Sequence, residues 1–328
     1  MPLLDAHDPQ AVARAARALA AGELVALPTE TVYGLGARAD DDAAVGRLYA
    51  AKGRPADHPL IVHVCDAQAA EAFALELPER ARRLMARFWP GPLTVVVRRR
   101  PGVAQAAAAG LPTVGLRCPD HPSAQALLRA ARELGVRGVA APSANRFGRV
   151  SPTRASHVAE EFGQALLVLD GGPCREGIES AIVDCSRDVP HLLRPGTLSR
   201  EALQAALGEP LHEPDAAAPR VSGSLASHYA PRAAVHLLAA PRLRERLHAA
   251  QPPAPGAEVG VYSRQPLAGP VWARVRRMPD NPALAAHELF AALREFDALG
   301  VESIWVEEPP ELPAWEGVRD RLRRAATR

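Results

Sequence analysis

The order of apolar and polar positions divides the chain into two stretches in which helical and extended patterns alternate. In the first stretch, Asp8-Pro9 begins an Ala-rich helical pattern that ends near Ala21, and a second helical pattern runs from Asp40 to Lys52. Short apolar runs between and after them predict strands, at Glu23–Pro28, Leu60–Val64, Leu93–Arg98, Thr113–Cys118, Gly138–Ala141, Ala165–Asp170 and Ala181–Asp184. Strands that alternate with helices predict an α/β domain, which we place at residues 8–208.

A proline-rich stretch follows this domain, and a second α/β pattern follows the prolines. Pro210, Pro214, Pro219 and Pro231 interrupt the pattern, so residues 209–232 are predicted to form an extended linker. Beyond it, the chain predicts strands and helices in alternation, with strands at Ala233–Leu238, Glu258–Tyr262 and Ser303–Val306 and helices at Arg242–Ala249, Pro282–Leu299 and Trp315–Ala326. This order predicts a smaller, Rossmann-like α/β second domain at residues 233–328.

Composition excludes several classes of protein. The net charge of +2 over 328 residues gives no global field typical of a nucleic-acid binder. No apolar run approaches the roughly 20 residues that span a bilayer, and the N-terminus lacks the basic and apolar segments of a signal peptide. The four cysteines lie singly, which argues against a zinc site and a disulfide framework. We therefore expect a soluble cytoplasmic protein with no membrane partner and no metal ligands of its own.

The chain has 39 basic residues, and only one of them, Lys52, is a lysine. It lies at the end of the second predicted helix, in Lys52-Gly53-Arg54-Pro55. A compact ammonium and a planar guanidinium on either side of a glycine make a cationic corner suited to phosphates. The alternative is a basic helix end that complements the helix dipole, which contributes only about 0.3–1 kcal/mol.

Other candidate residues lie near the predicted strands, where loops gather ligands. Arg117 could bind a small carboxylate, or it could pair with an acidic residue of the chain itself. His63 alternates with apolar neighbours, a pattern that is more often that of a core residue than of a ligand. Ser143 and Asn145 could donate to phosphate oxygens or could form an ordinary turn, and Ser151 begins a helix that could bind an anion.

Known nucleotide motifs are weak or absent. Residues 34–39 fit a G-x-G-x-x-A dinucleotide fingerprint, but the helix that it requires begins only at residues 40–42. The chain contains no Walker A lysine motif, no G-x-S-x-G elbow and no H-E-x-x-H helix. A site for ATP must therefore have a different design.

Taken in order, the clusters resemble the YrdC-like family of threonylcarbamoyl-AMP synthases in its long, two-domain form. The motifs that carry the resemblance are Pro28-Thr29-Glu30-Thr31-Val32-Tyr33-Gly34-Leu35, Lys52-Gly53-Arg54-Pro55, Pro59-Leu60-Ile61-Val62-His63, Trp89-Pro90-Gly91-Pro92, Gly115-Leu116-Arg117, Ser143-Ala144-Asn145, Arg194-Pro195-Gly196 and Ser227-His228-Tyr229-Ala230-Pro231. The resemblance implies a twisted, open α/β sheet with a concave cationic cavity. It also implies the reaction of L-threonine, bicarbonate and ATP to threonylcarbamoyl-AMP and pyrophosphate, for the N6-threonylcarbamoyladenosine of tRNA.

The resemblance also implies roles for individual residues. Lys52 and Arg54 would be catalytic. Threonine would be bound by Thr31, His63, Arg117, Ala141 and Ser180. ATP would be bound by Lys52, Arg54, His58, Thr113, Ser143, Asn145, Ser151, Arg194 and Tyr229. With Tyr229 over the nucleotide, the linker at residues 209–232 would act as a lid. Mg2+ would be bound through the ATP phosphates, with no metal site of protein ligands, and the product would pass to a tRNA threonylcarbamoyl-transfer complex. Contact with tRNA or double-stranded RNA is a further expectation.

The chain departs from the family pattern at three places. It has His58 where the family often has Asn, Ala181 where the family often has Thr, and Val221-Ser222-Gly223-Ser224 in place of a Pro-Gly-Met start to the linker motif. Two other functions stay open. An RNA-binding YrdC-like module without catalysis would spread its basic residues over an aromatic-rich face, whereas aromatics make up 4% of this chain. A carbamoyl-transferring domain of hydrogenase maturation would carry an acylphosphatase and zinc-binding cysteines.

Overall fold

The computed structural model describes residues 3–163, 166–223, 225, 227–248 and 257–327. The chain divides into two compact units, Met1–Phe147 with Ser151–Ser224, and Gly148–Val150 with Leu225–Arg328. Each unit is described by itself. Within the described ranges, no helix is both long enough and apolar enough to cross a bilayer.

The first unit is built on a ten-stranded mixed sheet with the strand order β1-β8-β2-β3-β7-β4-β6-β5-β9-β10. Its strands are β1 (Leu3–Asp5), β2 (Val25–Leu27), β3 (Gly34–Arg38), β4 (Ile61–His63), β5 (Leu93–Arg98), β6 (Thr113–Arg117), β7 (Val139–Ala140), β8 (Leu167–Asp170), β9 (Ala181–Asp184) and β10 (His191–Arg194). Its helices are α1 (Pro9–Ala20), α2 (Asp42–Lys52), α3 (Ala67–Ala70), α4 (Glu79–Phe88), α5 (Pro122–Glu133), α6 (Ala155–Phe162) and α7 (Arg200–Leu207). The predicted strand that begins at Ala165 starts outside the described residues, and its described part is β8.

Local sequence explains where the first two helices begin and end. Asp8 caps α1 by accepting a hydrogen bond from the Gln10 backbone N–H at 2.9 Å, and Pro9 occupies the first helical position. Asp41 caps α2 in the same way. Gly53 ends α2 in the left-handed conformation, with φ of 63°, which a glycine adopts without strain. This termination fixes Lys52 as the last residue of the helix.

Three strands of this sheet were not predicted from the sequence, namely β1, β3 and β10. Strand β3 lies between β2 and β7, although residues 34–36 resemble a glycine-rich loop. A Cβ on Gly36 would lie 2.9 Å from side-chain atoms of both Leu27 and Val139, so the glycine serves close packing between elements. The dinucleotide interpretation of residues 34–39 is therefore wrong, because the segment is a strand and not a turn into a helix.

The second unit has a four-stranded parallel sheet with the order β11-β14-β12-β13. Its strands are β11 (Ala234–Leu238), β12 (Val259–Ser263), β13 (Ala273–Arg277) and β14 (Ser303–Glu307), and its helices are α8 (Ala240–His248), α9 (Pro282–Ala298) and α10 (Glu316–Ala326). The alternation of parallel strands with helices confirms the predicted α/β class of this unit. The predicted helix end at Ala249 lies outside the described residues.

Candidate active site

Three neighbouring strands place a row of polar side chains on one face of the large sheet. His63 on β4 is in register with Arg117 on β6, and Arg117 is in register with Thr94 on β5. Residues paired across adjacent strands point to the same face, so the three side chains are neighbours. All three are buried. The sequence predicted His63 and Arg117 as partners in one site, and the register brings them together.

Arg117 forms a buried ion pair with Glu30. Its NH2 group donates to Glu30 Oε1 at 2.7 Å, and the two side chains are 5% and 1% exposed. The sequence had left two partners open for Arg117, a substrate carboxylate or an acidic residue of the chain. The structure supplies the acidic residue, and Arg117 keeps further N–H groups for a ligand.

His63 is held as a neutral imidazole. Burial, followed by the charge of Arg117, lowers its pKa to about 3. Its Nδ1 lies 3.3 Å from the Ile61 carbonyl oxygen. Thr31, a second residue predicted to bind threonine, is fully buried with its hydroxyl 2.9 Å from that of Thr29. Ala141 is bonded through its backbone N–H to the Ile61 carbonyl oxygen at 3.0 Å.

Lys52 is 2% exposed and donates from Nζ to two backbone carbonyl oxygens, those of Ser143 and Asn145, each at 2.5 Å. The only lysine of the chain therefore organises the loop that the sequence predicts to bind phosphates. Burial, and then the nearby Arg54 charge, moves the Lys52 pKa well below its usual range. The two carbonyl dipoles oppose this shift, because they stabilise the ammonium.

Arg54 and Arg194 converge on one linker residue, Ser222. Arg54 NH2 donates to Ser222 Oγ at 3.1 Å, and Arg194 NH1 donates to the Ser222 carbonyl oxygen at 2.9 Å. Arg194 also donates to the Ser180 carbonyl oxygen at 3.0 Å, and the Ser180 hydroxyl lies 2.8 Å from that of Thr94. These contacts join the row on the sheet to the two predicted nucleotide-binding guanidiniums.

A close backbone approach positions Arg194. A Cβ on Gly196 would lie 2.3 Å from the Ala181 backbone nitrogen, so only glycine allows the Arg194-Pro195-Gly196 turn to lie against the start of β9. Ala181 is itself fully buried and donates through its N–H to the Pro92 carbonyl oxygen. Ala181 stands where the family often has Thr, and its backbone N–H has a hydrogen-bond partner in the first unit.

The remaining predicted residues of the first unit lie close to these clusters. Ser151 donates through its hydroxyl to Glu179, the residue before Ser180. His58 lies edge-on to Phe147 at 5.4 Å between ring centroids, and burial followed by the Arg54 charge lowers its pKa. The guanidinium of Arg54 also lies over Phe147, at 5.8 Å from the ring centroid. The neutral form of His58 is thereby favoured, which suits a hydrogen-bonding role rather than a charged one.

A segment of the linker covers part of this face. Ala218 and Val221 pack on an apolar cluster of the sheet formed by Ile61, Val96, Ile182 and Leu193. Between the segment and the sheet lies a cavity of about 20 Å³, to which Thr113 and Ser222 contribute. Such a volume is about that of one water molecule. The linker was predicted to be extended and to act as a lid, and residues 218–222 are folded against the first unit.

Tyr229 lies in the second unit and is 1% exposed. Its ring packs on Phe290 at 5.4 Å between centroids and under the Arg321 guanidinium at 5.3 Å. Its φ of 60° is unusual for a residue that is not glycine. The predicted role of Tyr229 in nucleotide binding stays a prediction.

Four residues of the site were not predicted from the sequence: Glu30, Thr94, Glu179 and Ser222. Glu30 lies inside the Thr-Glu-Thr motif, so its position between two predicted ligand-binding residues was a usable signal. Thr94 stands alone in an apolar strand and Ser222 lies in a linker, where nothing in the pattern marks them. Their contacts depend on long-range pairing.

Comparisons with known proteins bear on the family and fold of the chain. Residues 17–196 match the model of the Sua5/YciO/YrdC family, described as telomere recombination, and residues 198–327 match the C-terminal domain of threonylcarbamoyl-AMP synthase. This chain belongs to the Sua5/YciO/YrdC family. Because both models match, it is of the two-domain Sua5 form.

Two relatives in the family match almost the whole chain. The threonylcarbamoyl-AMP synthase of Bacillus subtilis is 40% identical, over 98% of this chain and 94% of its own. That of Pyrococcus abyssi is 41% identical, over 93% of this chain and 91% of its own. The crystal structure of P. abyssi Sua5 complexed with L-threonine superimposes with a TM-score of 0.88 at 38% identity, covering 97% of this chain and 95% of that one. The predicted family and fold class are thereby confirmed.

Proposed function

We propose that this protein makes L-threonylcarbamoyl-AMP and pyrophosphate from L-threonine, bicarbonate and ATP. The observation that carries the proposal is the juxtaposition of two sets of groups on one face of the sheet. Arg117 and His63 suit an amino acid, and the row that contains them is linked to Arg194 through Thr94 and Ser180. Arg194 and Arg54, which share Ser222, suit phosphates. The relatives named as threonylcarbamoyl-AMP synthases support it.

The mechanism follows from positioning and charge. Arg117 binds the threonine carboxylate, so that the amino group lies near the row on the sheet. The carbamate that forms from bicarbonate must meet the α-phosphorus of ATP in line with the departing pyrophosphate. Most of the catalysis of such a transfer comes from two effects. The site holds the reacting groups together, and it neutralises the charge that develops on pyrophosphate. We assign this task to Lys52 and Arg54, whose charges are close enough to act on each other.

Mg2+ would be bound together with ATP and would neutralise phosphate charge. In the described residues, no group of three or more His, Cys, Asp or Glu side chains is arranged to hold a metal ion. Mg2+ commonly uses substrate phosphates and water as ligands, so it would need few ligands from the protein. The Glu179 carboxylate accepts a hydrogen bond from Ser151, one of the predicted nucleotide-binding residues.

The product fits a tRNA modification pathway, because threonylcarbamoyl-AMP is an activated anhydride that a later enzyme can transfer to adenosine. We place the protein in the cytoplasm on this ground. Transfer to a tRNA-modifying complex and direct contact with tRNA or double-stranded RNA belong to the same proposal.

The proposal is tested by incubating the protein with ATP, threonine and bicarbonate and measuring pyrophosphate. Release should depend on all three substrates, and each omission should reduce it to background. Pyrophosphate release from ATP without threonine would point to a different acceptor, and binding of RNA without any release would favour the non-catalytic alternative.

A further inference from the structure

The ion pair between Glu30 and Arg117 leaves one polar atom on each side without a partner. Within the described part of the chain, Glu30 Oε2 and Arg117 Nε are buried and have no hydrogen-bond partner, whereas Glu30 Oε1 and Arg117 NH2 are bonded to each other. Buried polar atoms are rarely left unpaired, because the loss of water is not compensated. An acceptor and a donor without partners in one ion pair indicate a ligand that carries both kinds of group.

A free α-amino acid has this combination of groups. Its carboxylate is an acceptor and its ammonium a donor, and the two are separated by a single carbon atom. Arg117 Nε can donate to the carboxylate while NH2 stays bonded to Glu30, because a guanidinium has five N–H donors in one plane. Glu30 Oε2 can then accept from the ammonium of the same molecule.

The other polar groups near the pair are less suited to an ammonium. The hydroxyls of Thr31 and Ser180 are paired with those of Thr29 and Thr94. His63 is neutral, since its pKa is lowered to about 3 by burial and Arg117. Glu30 is therefore the negatively charged acceptor in direct contact with the group predicted to hold the carboxylate.

The charges around Glu30 leave its carboxylate able to bind an ammonium. The titratable groups that feel the charge of Glu30 come from three parts of the fold: Arg117 and Cys118 at the end of β6, His121 before α5, and Cys174 after β8. Burial lowers the pKa of His121 and raises the pKa of both thiols, so each of these three groups favours its neutral form. Arg117 is the one cation of this set, and it occupies only Oε1.

We propose that Glu30 binds the α-ammonium of the amino-acid substrate through Oε2 and takes one proton from it. The inference rests on the proposed function, in which the amine must be neutral to attack carbon. In the transfer, one N–H bond breaks and its electron pair stays on nitrogen as the lone pair, while the proton forms an O–H bond on Glu30. A neutral amine and a neutral acid then replace an ammonium and a carboxylate.

The binding part is tested with threonine and 3-hydroxybutyrate, which is threonine without its amino group. By calorimetry, the wild-type protein should prefer threonine by at least about tenfold, as expected for one charge-assisted hydrogen bond. In Glu30→Gln this ratio should fall close to one, and in Glu30→Asp it should be partly restored. The exposed Glu23→Gln is the matched control and should keep the wild-type ratio. An unchanged ratio in Glu30→Gln overturns the inference.

The proton-transfer part is tested by turnover at saturating threonine. Loss of a general base typically costs about 10²–10⁴-fold, so kcat of Glu30→Gln should fall by at least about 100-fold while ATP affinity is kept. Loss of the binding preference with a normal kcat overturns the proton transfer. If Glu30→Gln does not fold, as shown by thermal unfolding, the wild-type ratio decides, and equal affinity for the two ligands overturns the inference. A wild-type protein that makes no threonylcarbamoyl-AMP refutes the proposed function instead.

Discussion

Lys52 is buried, which is uncommon for a lysine. It is 2% exposed, and its ammonium is held by two carbonyl oxygens of the loop that carries Ser143 and Asn145. The sequence marks the residue only as the single lysine among 39 basic positions. The structure gives the reason why an arginine does not serve there, because a compact group with tetrahedral donors fits between two carbonyls and a planar fork does not.

Lys52→Ala should therefore reduce turnover more than it weakens threonine binding. We expect kcat to fall by about 10²–10³-fold, as for the loss of a donor that stabilises developing charge. Lys52→Arg should restore little of the turnover, because a planar guanidinium does not fit between the two carbonyl oxygens. Steady-state rates at saturating ATP and threonine measure both effects, with the exposed Arg129→Ala as a control. Near-normal rates in both Lys52 variants would contradict the assignment.

Because the pKa of Lys52 is lowered, ATP binding should depend on pH. Triphosphate charge next to the ammonium should raise the pKa in the complex, so that binding takes up protons when the free amine is partly neutral. Affinity is then complete below the pKa of the free protein and declines as the pH rises through it. This decline should begin well below pH 10.5, the ordinary lysine value.

Calorimetry in buffers of different ionisation enthalpy measures this proton uptake directly. The uptake should be lost in Lys52→Ala, while the exposed Arg129→Ala should keep it. ATP affinity that is constant up to about pH 10, with no uptake, would show that Lys52 stays fully charged in the free protein.

At the scale of elements, helices were easier to predict than the contacts that form the site. Caps such as Asp8 and Gly53 act locally and are visible in the sequence. Strand β3 was missed because its Gly34-Leu35-Gly36 segment lacks the β-branched residues that mark a strand, and pairing with β2 and β7 decides its conformation. The register of His63 with Arg117 and Thr94 is also a product of pairing that no local pattern specifies.

The linker segment, predicted as a lid, is bonded to the first unit through Ser222. Ser222 bonds to Arg54 through its hydroxyl and to Arg194 through its carbonyl oxygen, and the Ser222 hydroxyl also donates to the Pro59 carbonyl oxygen at 2.9 Å. The segment is therefore in direct contact with two predicted nucleotide-binding residues. Substrates that order it would exclude water from an anhydride that hydrolyses readily.

Limited proteolysis between Pro214 and Gly223 tests this role. Cleavage should slow when ATP and threonine are both present. In Ser222→Ala, which loses the hydroxyl contacts of Ser222, cleavage without ligands should be about 3–10-fold faster, since one or two hydrogen bonds of about 1 kcal/mol are removed. The exposed Ser156→Ala should match the wild type. Equal cleavage rates with and without the two substrates would show that the segment is not a lid.

At the scale of the whole molecule, the sequence predicted two α/β parts joined by a linker, and the structure divides the chain close to the end of that linker, at residues 224 and 225. The difference matters because Ala218 and Val221 belong to an apolar cluster of the first unit. Composition identified the prolines of this stretch, but it could not show that Ala218 and Val221 are partly buried against the sheet.

Two truncated chains separate the contribution of the linker from that of the second unit. A chain that ends at Gly208 should fold but expose the cluster around Ile182, and it should make product weakly. A chain that ends at Gly223 keeps the segment and should be more active than the first, yet weaker than the full chain, because it lacks Tyr229. Initial rates of product formation compare the three. Full activity in the chain that ends at Gly208 would refute a role for the linker and the second unit in the reaction.

The most direct test of the central claim follows the carbon atom of bicarbonate. The protein is incubated with ATP, threonine and 13C-labelled bicarbonate, and the nucleotide product is analysed by mass spectrometry. The account predicts a compound of AMP, threonine and one labelled carbonyl carbon, formed together with an equal amount of pyrophosphate and lost in Arg117→Ala. Threonyl-AMP without the labelled carbon, or AMP alone, would contradict it.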